Sequence, residues 1–173
     1  MPSYQHLAYR RNAKAAARKQ QIKKPKNLEL IQQAKEDFGF FCEYVADKPP
    51  AYHHKTWHQH FITNEDSTCL IKIAGPNVDL LAPRGSAKST VLGLLTAWAI
   101  GIHTEAKRPL QVLYLSYTVD IARSKSATIK RIIESKRYQE VFPKVRLLKN
   151  VTSNEYWSID HKFAGIDTTG EEQ

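Results

Sequence analysis

Lys88, Ser89 and Thr90 close the stretch LLAPRGSAKST, which runs from Leu80 to Thr90. An ammonium followed by two hydroxyls, after a short loop of Pro, Gly, Ser and Ala, is a residue set that can grip a phosphate chain. An apolar run with Asp79 inside it leads into the loop, and the helical pattern VLGLLTAWAIG leads out. Strand, tight loop, Lys-Ser and helix together aim backbone N–H groups and a helix N-terminus at one anion. The chemistry expected is binding of a nucleoside triphosphate.

The usual pattern asks for Gly, four residues, then Gly-Lys-Ser/Thr. Aligned on Lys88, the two glycine positions hold Ala82 and Ala87, and Gly85 is the only glycine inside the loop. Glycine serves there because the backbone curls tightly against the phosphates. Alanine is the smallest replacement, and it is expected to follow only with a negative φ at Ala87. Lys88 then reaches the β- and γ-phosphates as a point charge. The Ser89 hydroxyl ligates Mg²⁺, a hard cation that prefers oxygen. Ala82, Pro83, Thr90 and the amides of Gly85, Ser86 and Ala87 line the path of the phosphates. Arg84 either stabilises transition-state charge in phosphoryl transfer or forms a salt bridge that holds the loop. The plainer alternative is a strand-to-helix turn in which Lys88 is merely solvated.

The elements that must position this loop are read from periodicity. Asn27 caps a helix in which Leu28, Ile31, Ala34, Phe38, Phe41 and Val45 recur at three- and four-residue steps, ended by Pro49-Pro50. YHHKTWHQHFI follows as a short helix with His54, Trp57 and Phe61 on one side. His54 and His58 stand four apart, but no thiolate pair or carboxylate completes a zinc site. Trp57 and Gln59 are candidates to hold adenine; Trp57 reads equally well as core. Strands are expected over Thr68–Ala74 and Val78–Ala82, a helix over 89–102, and a central parallel strand over Leu110–Tyr117, apolar on both faces. A helix over 119–135 completes a right-handed crossover unit. Ser116, Tyr117 and Thr118 would then sit at the ligand-facing edge of the sheet, or be ordinary turn residues. A last strand is expected over Tyr156–Ile159. The fold class implied is α/β: a P-loop NTPase-type, mostly parallel sheet flanked by helices, incomplete, with a basic N-terminal arm.

That arm holds most of the charge. The chain has 173 residues and a net charge of +9. Residues 1–28 carry eight cations and no acid, leaving 18 of the 26 cations against 17 acids elsewhere. The division expected is a basic, flexible arm over 1–27 and the front part of an ATPase domain over 28–173. Such an arm suits a nucleic-acid backbone, and eight engaged cations would give a salt slope of at most roughly −7; a solvated tail is the alternative. No apolar run approaches the ~20 residues of a membrane span. The two cysteines, Cys42 and Cys69, form no CxxC pair and read as buried thiols in a reducing setting.

APRGSAKST, the preceding HHKTWHQHF and the following LYLSYTVDIARSKSATIKRII together resemble the N-terminal ATPase region of phage terminase large subunits, the motors that package viral DNA. The resemblance spans residues 37–170. It implies that Lys88 and Ser89 bind ATP and Mg²⁺, that Arg84 senses or stabilises the γ-phosphate, and that the aromatic and Gln59 region holds the base. It also implies double-stranded DNA, a small terminase subunit and a portal protein as partners, a homo-oligomeric motor, and the host cytoplasm as its place. The family's acidic strand end, with its Asp for Mg²⁺ and Glu for water, has no counterpart here. Asp120, Asp160 and Asp167 each lack the apolar run such a strand needs. The chain therefore reads as part of a larger protein. A helicase-like DNA-dependent ATPase, or a nucleic-acid-binding assembly protein without turnover, are the competing classes.

Overall fold

The computed structural model describes residues 27–61 and 79–165. Contacts divide the chain into two units, Met1–Ile31 and Gln32–Gln173. Of the first, only residues 27–31 are described. The basic residues of the arm, Cys69 and the expected strand Thr68–Ala74 lie outside the described residues.

The helices in chain order are α1 (Asn27–Glu36), α2 (Phe38–Ala46), α3 (Tyr52–Phe61), α4 (Lys88–Glu105), α5 (Val119–Glu134), α6 (Lys136–Val141) and α7 (His161–Ala164), with strands β1 (Leu147–Thr152) and β2 (Trp157–Ile159) before α7. The fold is mostly helical, and its only described sheet is the antiparallel β1–β2 pair, with Leu147 opposite Ile159 and Thr152 opposite Trp157. This overturns the expected parallel P-loop sheet. Leu110–Tyr117 forms no strand among the described residues, and Leu113, Leu115 and Tyr117 are 82%, 80% and 95% exposed. The same holds for the approach to the loop, where Leu81 is 95% exposed. An apolar run reports that both faces want burial; a strand also needs a neighbour to accept its ladder of hydrogen bonds.

The single amphipathic helix expected over residues 28–45 is two helices. Asp37 takes an extended backbone, and its carboxylate accepts from the amides of Gly39 (2.6 Å) and Phe40 (3.2 Å). That side chain starts α2 by capping it. Asp47, with φ +52°, ends it. Helix α5 opens on Thr118, whose hydroxyl accepts from the Ile121 amide at 3.3 Å, so Thr118 is a cap and not part of a sheet edge. Ser135 repeats the device for α6.

The core joins α2, α4, α5 and α6. Phe38, Phe41, Leu94, Ala97, Trp98, Ile129, Ile133, Tyr138 and Val141 are buried, together with Phe142 and Val145 beyond α6. Phe142 sits 5.3 Å from the Tyr138 ring and 6.1 Å from Phe41, centre to centre. Gly101, on α4, exists for Phe142: a Cβ there would lie 2.4 Å from the ring. Two buried polar groups lock the helices in place. The Tyr138 hydroxyl donates to the Ala97 carbonyl (2.8 Å), and the Trp98 indole N–H to the Ala34 carbonyl (3.0 Å). The β-hairpin is tied to α5 by the Trp157 N–H donating to Ser126 Oγ at 2.7 Å.

Two outcomes follow from this core. Gly101→Ala forces a methyl into an aromatic ring that cannot move. Overpacking outweighs the better helix propensity of alanine, for a net loss of about 1–2 kcal/mol in urea unfolding. Burial, with the Asp37 charge adding, pushes the Cys42 thiol from 9.0 up to about 12, and burial pushes Tyr138 upward as well. The folded chain therefore keeps the thiol proton that the unfolded chain releases near pH 9. This stabilisation is complete below pH 9 and is lost as pH rises toward 12. Urea midpoints measured from pH 8 to 11 should fall less steeply in Cys42→Ala than in the parent.

Candidate phosphate-binding loop

Four residues set the shape of the loop. The Ser86 amide donates to the Pro83 carbonyl (3.4 Å), closing a four-residue turn with Gly85 at its third position and φ +85°. A type II turn demands a positive φ there, and glycine supplies it without steric cost. Ala87 then takes φ +56°, ψ +17°, directly before α4. The negative φ expected for this alanine is wrong. A left-handed alanine costs about 1–2 kcal/mol, and it stands where the standard pattern has glycine.

This conformation matters for what α4 offers. An N-cap is usually extended and carries a Ser, Thr, Asp or Asn side chain that occupies first-turn amides. Ala87 is left-handed and has no side chain to cap with. Its carbonyl accepts from the amides of Thr90 (2.9 Å) and Val91 (3.0 Å). The Lys88 and Ser89 amides precede these, at the positive end of an 18-residue helix, where no intrahelical acceptor exists.

Residues 82 to 90, Ala82 through Thr90, line a concavity of about 370 Å³. All the residues expected there by sequence are brought together, except Gln59. Arg84, Gly85 and Ala87 are exposed; Ser86, Lys88 and Ser89 are half-buried. Ser86 Oγ is buried without a hydrogen-bond partner among the described residues. Neither Arg84 nor Lys88 is paired with a described carboxylate, so the salt-bridge alternative for Arg84 finds no partner there. Gln59 lies on α3, as expected of a helix over this segment, and its side chain is outside the described set.

Among the acids weighed for metal, Asp120 pairs with Arg123 at 3.5 Å, and Asp160 caps α7 by accepting from the Phe163 amide at 3.0 Å. Asp167 lies outside the described residues. No group of three His, Cys, Asp or Glu that could hold a metal occurs among the described residues. An Mg²⁺ ion at this loop would take oxygen from the Ser89 hydroxyl and the phosphates themselves, which suits its preference for few protein ligands.

Sequence reasoning missed one residue at the loop. His54, on α3, hydrogen-bonds through Nε2 to the Ser86 carbonyl at 2.8 Å. The two are 32 positions apart, and no spacing rule joins them.

Searches of protein-family models, of curated proteins and of solved structures find no match to this chain. Among the described residues, no helix is long and apolar enough to cross a membrane.

The backbone strain gives a direct check. Ala87→Gly should leave the loop in place and raise stability by up to about 1 kcal/mol, because the lost strain exceeds the entropy that glycine adds to the unfolded chain. Ala87→Val, β-branched at a positive φ, should lower stability by more than that. Urea unfolding of the three proteins reads both.

Proposed function

We propose that the loop from Ala82 to Thr90 binds the phosphate chain of ATP with Mg²⁺, and that the chain is the nucleotide-binding part of a DNA-packaging ATPase similar to terminase large subunits. The observation that carries this reading is the uncapped, positively polarised start of α4 beside Lys88, whose ammonium has no carboxylate partner among the described residues, both lining a concavity shaped by two left-handed residues. The Ser86 hydroxyl, buried without a described partner in the same loop, is a further donor a phosphate oxygen could satisfy.

The roles follow from the donor set. Backbone amides at the helix start hold the β-phosphate oxygens, Lys88 neutralises the β- and γ-phosphates, and Ser89 supplies oxygen to the metal. Arg84, exposed at the turn, is the guanidinium that would offset charge developing on the γ-phosphoryl group. Hydrolysis additionally requires a positioned water and a full metal shell. The family assignment rests on the sequence blocks around the loop, and DNA as partner rests on the eight cations of residues 1–28.

Titration with a fluorescent ATP analogue in the presence of Mg²⁺ tests the core of this reading. Lys88→Ala should weaken binding about tenfold or more, the cost of one charge-assisted contact, with an unchanged circular-dichroism spectrum. Equal affinity in the two proteins would remove the proposal.

A further inference from the structure

We propose that His54 is a positioning residue for the phosphate loop, holding the Ser86–Ala87 peptide so that its N–H faces the ligand; this rests on the triphosphate reading above. The ring makes two hydrogen bonds. The Ala51 amide donates to Nδ1 at 3.2 Å, so Nδ1 is the acceptor nitrogen. The proton therefore sits on Nε2, which donates to the Ser86 carbonyl at 2.8 Å. The tautomer follows from the two partners alone.

The consequence runs through the peptide plane. A trans peptide points its C=O and the following N–H in opposite directions. Holding the Ser86 oxygen toward α3 turns the Ala87 amide away from α3. Ala87 is the residue that needs help, since its left-handed backbone is one that alanine avoids. A fixed carbonyl on its N-terminal side and the first turn of α4 on its C-terminal side constrain it from both directions. The His54 ring is itself held, with its centre 4.0 Å from that of His53 and 5.1 Å from that of Trp57. The histidine thus contributes to phosphate binding through the Ser86–Ala87 peptide, without touching the ligand itself.

Three substitutions separate this role from a structural one. Glutamine places an amide N–H near the former Nε2 and can still donate to Ser86. Asparagine matches the shorter Nδ1 position, so it can accept from the Ala51 amide but falls short of Ser86. Alanine does neither. Using the full chain and the same fluorescent ATP analogue with Mg²⁺, His54→Ala and His54→Asn should each weaken binding about three- to tenfold, the worth of one hydrogen bond. His54→Gln should restore most of it. Hydrogen exchange at the Ala87 amide should accelerate in the Ala and Asn variants and return toward the parent rate in Gln. Rescue by Asn rather than Gln would assign His54 to helix capping and overturn the proposal. So would unchanged affinity and exchange in all three variants while the parent binds nucleotide. Failure of the parent to bind, or equal binding by Lys88→Ala, sinks the triphosphate reading instead; the Ala87 exchange rates then still decide whether His54 holds the peptide.

Discussion

Phe142 occupies the space that a side chain at residue 101 would fill, and the placement of the loop helix follows from that contact. The ring is boxed by Phe41 and Tyr138 and is fully buried. Only a bare backbone lets α4 approach it. Leu94, Ala97 and Trp98 extend the grip toward the start of the same helix. Lys88 and Gly101 are 13 residues apart, about 20 Å of helix. The end that carries the candidate site is thus held at a distance by packing at the other end. The loop itself contributes little to the core, and its principal described tie to another element is the hydrogen bond from His54.

What the sequence made legible was local. The helices at 52–61, 88–105 and 119–134 follow from side-chain spacing, while the capping role of Thr118 emerged only from the structure. The Gly85 turn follows from residue type. The split at Asp37 was hidden because Ala34, Phe38 and Phe41 keep helical spacing across it and all three are buried. The apolar steps continue while the backbone does not. Asp37 could have signalled the break, since its carboxylate is suited to capping the amides just ahead of it. The strand expected over Tyr156–Ile159 is present as Trp157–Ile159, whereas Leu110–Tyr117 and the described residues that lead into the loop form none: apolar composition does not supply a pairing partner. The pair that does form includes Leu147–Thr152, where LLKNVT has no clean alternation and its register with Trp157–Ile159 is irregular.

A parallel sheet would have placed the loop at its carboxyl edge, a location that implies ligand binding by analogy with other folds. Without it, the loop's own geometry remains: two positive φ values, an uncapped helix start and an ammonium with no carboxylate partner among the described residues. Fold and function are separable in this way. Gripping a phosphate chain is a local act of a few amides and one charge. Coupling its hydrolysis to movement of DNA needs groups placed from elsewhere, so the motor reading is the more demanding half of the proposal.

Strain at Ala87 bears on that distinction. A left-handed alanine in an otherwise relaxed turn would revert to an ordinary conformation unless its surroundings opposed it. Here the turn ends one residue before it, α4 begins one residue after it, and His54 holds the carbonyl between. The hydrogen bond from His54 and the first turn of α4 hold this conformation from within the chain. A backbone held in this way costs a bound anion less of its binding energy in ordering. Glycine at position 87 would remove the strain but also widen the choices open to the unfolded chain. Alanine with an external hold is a second solution to the same geometric demand, and it makes a residue on another helix part of the loop.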